Sequence, residues 1–198
     1  MKNFLRFLPL SPLLVLVAGC CANNANSCQD TLEDSIYFTL NNDPTKGHAF
    51  TKAQLDTVYL LRYNPLTAGR NYDSIPLTDS LRRRQQQYTP LLAQKLKDAH
   101  LSPTNTIVLS NAFPFAPGTT GGKISSYYYS LVIKDRSVKG DSTYTFAISQ
   151  INLKGQYYNA DGCTTCYQNI LKQANVNGRT LGLTETGSVP IPVLISKP

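Results

Sequence analysis

Ser142-Thr143-Tyr144-Thr145-Phe146-Ala147-Ile148-Ser149-Gln150-Ile151-Asn152-Leu153 carries the pattern that decides the fold. Tyr144, Phe146 and Ile148 recur at every second position, so in an extended chain their side chains share one face. After Ile148 the phase slips, and the apolar series resumes at Ile151 and Leu153. A single strand with an extra residue, a β-bulge near Ser149-Gln150, accounts for both halves.

The same period of two spreads outward from this stretch. Ile36, Phe38 and Leu40 alternate with Tyr37 and Thr39, and Thr106 to Phe113 alternates around Ile107 and Leu109. Tyr127, Tyr129, Leu131 and Ile133 share a face, with Tyr128 on the other. Thr57-Val58-Tyr59-Leu60-Leu61-Arg62-Tyr63 is apolar on both faces, as a central strand would be. Asn177-Gly178 lies between Lys172–Val176 and Arg179–Leu183 and suits the positive φ angles of a type I′ turn, which predicts a hairpin. Pro190 and Pro192 lack N–H groups, so the closing strand around Ile191, Val193 and Ile195 belongs at a sheet edge. Thr89-Pro90 followed by Leu91, Leu92, Leu96 and Ala99 predicts a short helix over Pro90–Ala99. The expected architecture is a mainly β domain over residues 34–198: an antiparallel β-sandwich of seven or eight strands with one short helical insert.

Asp141-Ser142-Thr143-Tyr144-Thr145-Phe146-Ala147-Ile148 is similar to the penultimate strand of fibronectin type III and other immunoglobulin-like domains. That resemblance implies an immunoglobulin-like β-sandwich, in which a tyrosine near the strand start bonds backbone upstream. The tryptophan usual in such cores is missing, because the chain has none.

At the N-terminus, Lys2 and Arg6 precede an apolar run from Phe7 to Val17, too short to span a bilayer stably. Val17-Ala18-Gly19-Cys20 resembles the lipobox of bacterial lipoproteins. The resemblance implies that residues 1–19 are a cleaved signal peptide and that Cys20 is lipidated, tying the chain to a lipid bilayer. Several acyl chains on one residue hold a protein durably where a single chain does not. Residues 20–33, rich in Asn and Ala, are expected to be the lipidated cysteine and a flexible tether. Cys21 rather than aspartate follows the anchor, which by the sorting rule of enteric lipoproteins implies the outer membrane. Periplasm-facing and surface-facing placements both stay open.

Removal of residues 1–19 leaves 198 − 19 = 179 residues, and 17 basic against 12 acidic side chains. In such a compartment a nucleic acid is not an expected partner. The cysteines that remain besides Cys20 are Cys21, Cys28, Cys163 and Cys166, in a setting that permits disulfides. Local pairing of Cys163 with Cys166 is the first expectation, with Cys21 and Cys28 pairing across the tether or staying free. Redox exchange through Cys163-Thr164-Thr165-Cys166 would need a helix start after a strand, and zinc would need two further ligands. The only histidines, His48 and His100, read as a loop residue and a helix-end residue. No G-x-S-x-G or H-E-x-x-H pattern occurs, no cofactor or metal is expected, and Asn41-Asn42-Asp43 reads as a turn.

Candidate binding residues are Tyr127, Tyr129, Tyr157 and Tyr158, since exposed tyrosines stack on sugars or grip peptides. A tyrosine-rich core with wet tips is the competing and favoured account of them. Arg82-Arg83-Arg84 reads as a solvated face, or else as a patch for anionic head groups. Together these readings describe a membrane-anchored envelope lipoprotein with a non-enzymatic binding or scaffolding role toward an envelope protein or glycan. The alternatives are a thiol-redox or metal-dependent accessory protein using Cys163 and Cys166, and a glycan-binding module.

Overall fold

The computed structural model describes residues 30–64, 72–76, 90–102, 104–115, 123–135, 142–159, 165–185 and 189–198. In chain order the elements are α1 (Asp30–Glu33), β1 (Ile36–Leu40), α2 (Lys52–Leu55), β2 (Val58–Tyr63), β3 (Tyr72–Pro76) and α3 (Pro90–Asp98). They continue with β4 (Thr106–Leu109), β5 (Tyr128–Asp135), β6 (Ser142–Asn159), β7 (Thr165–Val176), β8 (Arg179–Gly182) and β9 (Val193–Ile195). A six-stranded antiparallel sheet runs β3-β2-β5-β6-β7-β8, and a three-stranded sheet runs β4-β1-β9. β1 pairs antiparallel with β4 and parallel with β9. Among the described residues no helix is long and apolar enough to cross a membrane.

The two sheets bury their alternating faces against each other. Ile36, Phe38, Leu40, Ile107 and Leu109 of the small sheet meet Val58, Leu60, Leu131, Ile133, Phe146 and Ile148 of the large one. The small sheet is covered on its other side too: Tyr37 and Val108 pack with Leu32 of α1 and with Leu92 and Leu96 of α3. This third layer explains why all four residues of β4 are buried. The large sheet turns its other face to solvent. There Tyr59 and Leu61 are only half-buried, so β2 is not covered on both faces as its apolar run predicts.

The β-sandwich is as expected, with nine strands among the described residues rather than seven or eight. The large sheet is mostly a meander, and Tyr144 packs its ring edge-on against Phe50 at 5.9 Å. Of the residues expected to form the tether over 20–33, Asp30–Glu33 form a helical turn and Leu32 packs with Leu92 and Leu96 of α3. Turn chemistry follows local sequence closely. Asn177 and Gly178 have φ of 51° and 83°, as a type I′ turn requires. The end of α3 is a Schellman cap, with His100 N–H donating to Lys97 O and Leu101 N–H to Leu96 O. His100 occupies the left-handed position at φ 54° that glycine usually fills.

Candidate binding site

Four charged side chains meet beneath the helices. Lys95 Nζ of α3 lies 3.3 Å from Glu33 Oε1 and 3.0 Å from Glu185 Oε2, while Lys172 Nζ of β7 lies 2.7 Å from Glu185 Oε1. Lys172 Nζ also donates to Ser35 O at 3.0 Å. Both lysines are about as buried as the central leucines, at 1% exposure. Isolated, such ammonium groups would be very costly to desolvate; here each faces a carboxylate at bonding distance. Two positive and two negative groups consume one another, so the cluster locks elements together and offers no free nucleophile or base. Its members were legible only as an anomaly: Lys95 sits at helical spacing among Leu92, Leu96 and Ala99, and Lys172 in the alternation with Ala174 and Val176.

Tyr127 and Tyr129 are core residues, at 8% and 2% exposure, which corrects their candidacy as ligand contacts. Tyr129 Oη donates to Ile124 O at 3.2 Å, and its ring centroid lies 6.2 Å from that of Phe115. The Arg62 guanidinium lies between Phe115 and Tyr127, 4.6 and 4.7 Å from their centroids, and pairs with Asp73 at 2.5 Å. The inward position of Tyr129 on β5, and of Tyr127 just before that strand, follows from the alternation that leaves Tyr128 exposed. Cys166 is disulfide-bonded and 3% exposed. Cys20, Arg82, Arg83, Arg84 and Cys163 lie outside the described residues, as do Cys21, Cys28 and the signal segment. His48 holds the C-terminus, with Nδ1 3.3 Å from Pro198 O and its carbonyl accepting Lys197 N–H at 2.9 Å. Asn41 and Asp43 form the expected turn: Asp43 N–H donates to Asn41 Oδ1, and Asp43 Oδ1 accepts Thr45 N–H at 3.0 Å. Among the described residues no three His, Cys, Asp or Glu side chains are grouped to hold a metal.

Tyr157 and Tyr158 lie far along the β6–β7 arm, at 74% and 42% exposure. Two irregularities shape that arm: Gln150-Ile151 form the bulge on β6, and Ile170 is the extra residue on β7 opposite Lys154-Gly155. Gln150 takes the left-handed conformation at φ 50°, as the first residue of a G1 bulge does. Beyond the second bulge, Tyr157 and Tyr167 are cross-strand partners with ring centroids 5.4 Å apart at 60°. A Cβ on Gly155 would stand 2.2 Å from the Tyr167 ring, so only glycine lets that ring lie across β6. So placed, Tyr167 Oη shares its one hydrogen between Asp34 Oδ1 and Asn169 Oδ1, each 3.4 Å away. Asp34 also accepts from Asn169 Nδ2 at 3.2 Å and from Asn111 Nδ2 at 3.0 Å. Burial and the Asp34 carboxylate push the Tyr167 phenol above its ordinary pKa, keeping it a neutral donor. The result is an exposed aromatic platform beside a half-buried acid whose orientation is held by three donors. Tyr158 alternates with Tyr157 and points to the opposite side of the arm. Tyr157 was legible in sequence; Asp34, Asn111, Asn169 and Tyr167 were not, since they come from three separate segments.

A groove of about 410 Å³ also opens between β8 and β9, lined by apolar Phe146, Leu183 and Val193 and by polar Asn177, Arg179 and Ser196. No family model, no curated protein and no solved structure matches this chain.

Proposed function

We propose that this chain is a lipid-anchored protein of the bacterial cell envelope, held in the outer membrane through Cys20, and that it binds rather than transforms its partner. The Tyr157 face is the binding end. The observation that carries this reading is the 74% exposure of Tyr157 on an arm whose geometry is fixed by Tyr167, Gly155 and Asp34. A large aromatic side chain held still in water gains little for folding and much for contact. The buried ionic cluster supports binding over catalysis, because its lysines and glutamates are already paired. Burial of Cys166 likewise favours a structural cysteine, since thiol exchange needs access. Asp34 follows Cys20 by 14 residues, so the face stays within roughly 50 Å of the bilayer even with that stretch extended.

The test uses full-length protein in its own envelope. Wild type should fractionate with membranes, and Cys20→Ser should appear in the soluble fraction or as uncleaved precursor. Chemical cross-linking of wild type should capture one envelope component that Tyr157→Ala fails to capture. Membrane association of Cys20→Ser would refute the anchor, and equal capture by Tyr157→Ala would refute the binding end.

A further inference from the structure

We infer that the Tyr157 face takes a neutral hexopyranose of a glycan chain, with Tyr157 as stacking platform and Asp34 and Asn111 as hydroxyl partners. This rests on the Tyr157 face being the binding end. A pyranose presents a C–H face and a rim of hydroxyls, each both donor and acceptor. Its recognition needs a flat apolar ring with a few fixed polar groups beside it. Tyr157 supplies the ring, which packs edge-on against Tyr167 at 60°. An ionised carboxylate has about four acceptor positions. Asp34 uses three of them on Asn169, Tyr167 and Asn111, which leaves one for a sugar hydroxyl. Asn111 spends its Oδ1 on the Ile124 N–H at 2.8 Å and one amide hydrogen on Asp34, and its second hydrogen is left for a sugar oxygen.

Charge argues for a neutral ligand. The ammonium groups of Lys95 and Lys172, on neighbouring elements, are tied to Glu33 and Glu185 and cannot answer an anion. A cation would find Asp34 already sharing its charge among three donors, and two rings that meet edge to face rather than enclose a box. A neutral polyol loses nothing to either arrangement. One tyrosine ring separates the platform from the carboxylate, so stacking and hydroxyl contacts fall on adjoining parts of one oligosaccharide.

The experiment is calorimetric titration of the full-length lipidated protein in detergent micelles. Its probes are cellohexaose, laminarihexaose, mannohexaose and maltohexaose, with trilysine as the cationic competitor. At least one hexaose should bind, weakened tenfold or more by Tyr157→Ala and several-fold by Asp34→Asn. Tyr158→Ala, on the other side of the arm, should change affinity less than twofold. Gly155→Ala should match Tyr157→Ala by displacing Tyr167; if it does not fold, the exposed Tyr157 site still decides the matter. Binding that survives Tyr157→Ala overturns the assignment of the site. Trilysine binding abolished by Asp34→Asn overturns the ligand class. If no hexaose binds while Tyr157→Ala still loses envelope capture, the glycan inference alone falls and the binding end stands.

Discussion

Tyr37 and Tyr129 each carry a phenol into the interior, and burial is the main reason both pKa values rise above the ordinary value of about 10. For Tyr37 the Glu185 and Glu33 carboxylates push the same way, while for Tyr129 the nearby Arg62 offsets part of the rise. A raised phenol pKa means that the folded chain holds its proton when the unfolded chain has lost it. Stability is therefore unaffected below about pH 10 and falls as pH climbs above it, by up to ~1.4 kcal/mol per phenol per pH unit. Chemical denaturation between pH 9 and 11.5 should show this slope, and Tyr37→Phe with Tyr129→Phe should flatten it. An unchanged slope in the double variant would show that other groups drive alkaline unfolding. These two residues also mark what alternation reveals: it placed Tyr129 on one face with Leu131 and Ile133, but whether that face met water or protein depended on the opposite sheet.

At the scale of the element, the β6–β7 arm is where local sequence and function meet. The slip from Ile148 to Ile151 predicts the first bulge, and the register of β6 against β7 contains it. The second bulge left no such trace, because Ile170 is one apolar residue in a run that reads equally well without it. Cys166 lies in the distal half of the same arm. If its partner is Cys163, the closed loop is very short, and by loop entropy the bridge contributes about 2 kcal/mol or less. Cys163→Ser with Cys166→Ser should therefore lower stability modestly and leave capture of the envelope component intact. Non-reducing peptide mapping should find Cys163 joined to Cys166. Recovery of Cys166 joined to Cys28 or Cys21 would replace local pairing by a bridge from tether to arm.

Across the whole molecule, the ionic cluster joins the layers. Glu33 belongs to α1, Lys95 to α3 and Lys172 to β7, while Glu185 follows β8, so both sheets and the helical cover share it. Removing Lys172 leaves two buried carboxylates sharing the single ammonium of Lys95, an uncompensated negative charge. Lys172→Met should cost about 3–5 kcal/mol. Adding Glu185→Leu removes the excess carboxylate and should recover a large part of that loss, since Lys95 and Glu33 then form a balanced pair. Urea denaturation of the two variants and wild type measures this directly. A double variant no more stable than Lys172→Met would mean that the cluster acts through Lys95 instead.

Sequence alone determined what depends on neighbours along the chain. The strands of period two, the Asn177-Gly178 turn, the edge position of β9 and the Pro90 helix start all follow from side-chain alternation, backbone φ preferences and missing N–H groups. Tertiary structure decided what depends on neighbours in space. Only the third layer over β1 and β4 explains why a lysine on α3 is buried. Only the tertiary structure brings Asp34, Asn111 and Asn169 together beside Tyr167, the ring against which Tyr157 packs. Residues from 34 to 169 come together there by sheet register and a bulge of one residue, and a shift of one position would turn each strand side chain to the other face.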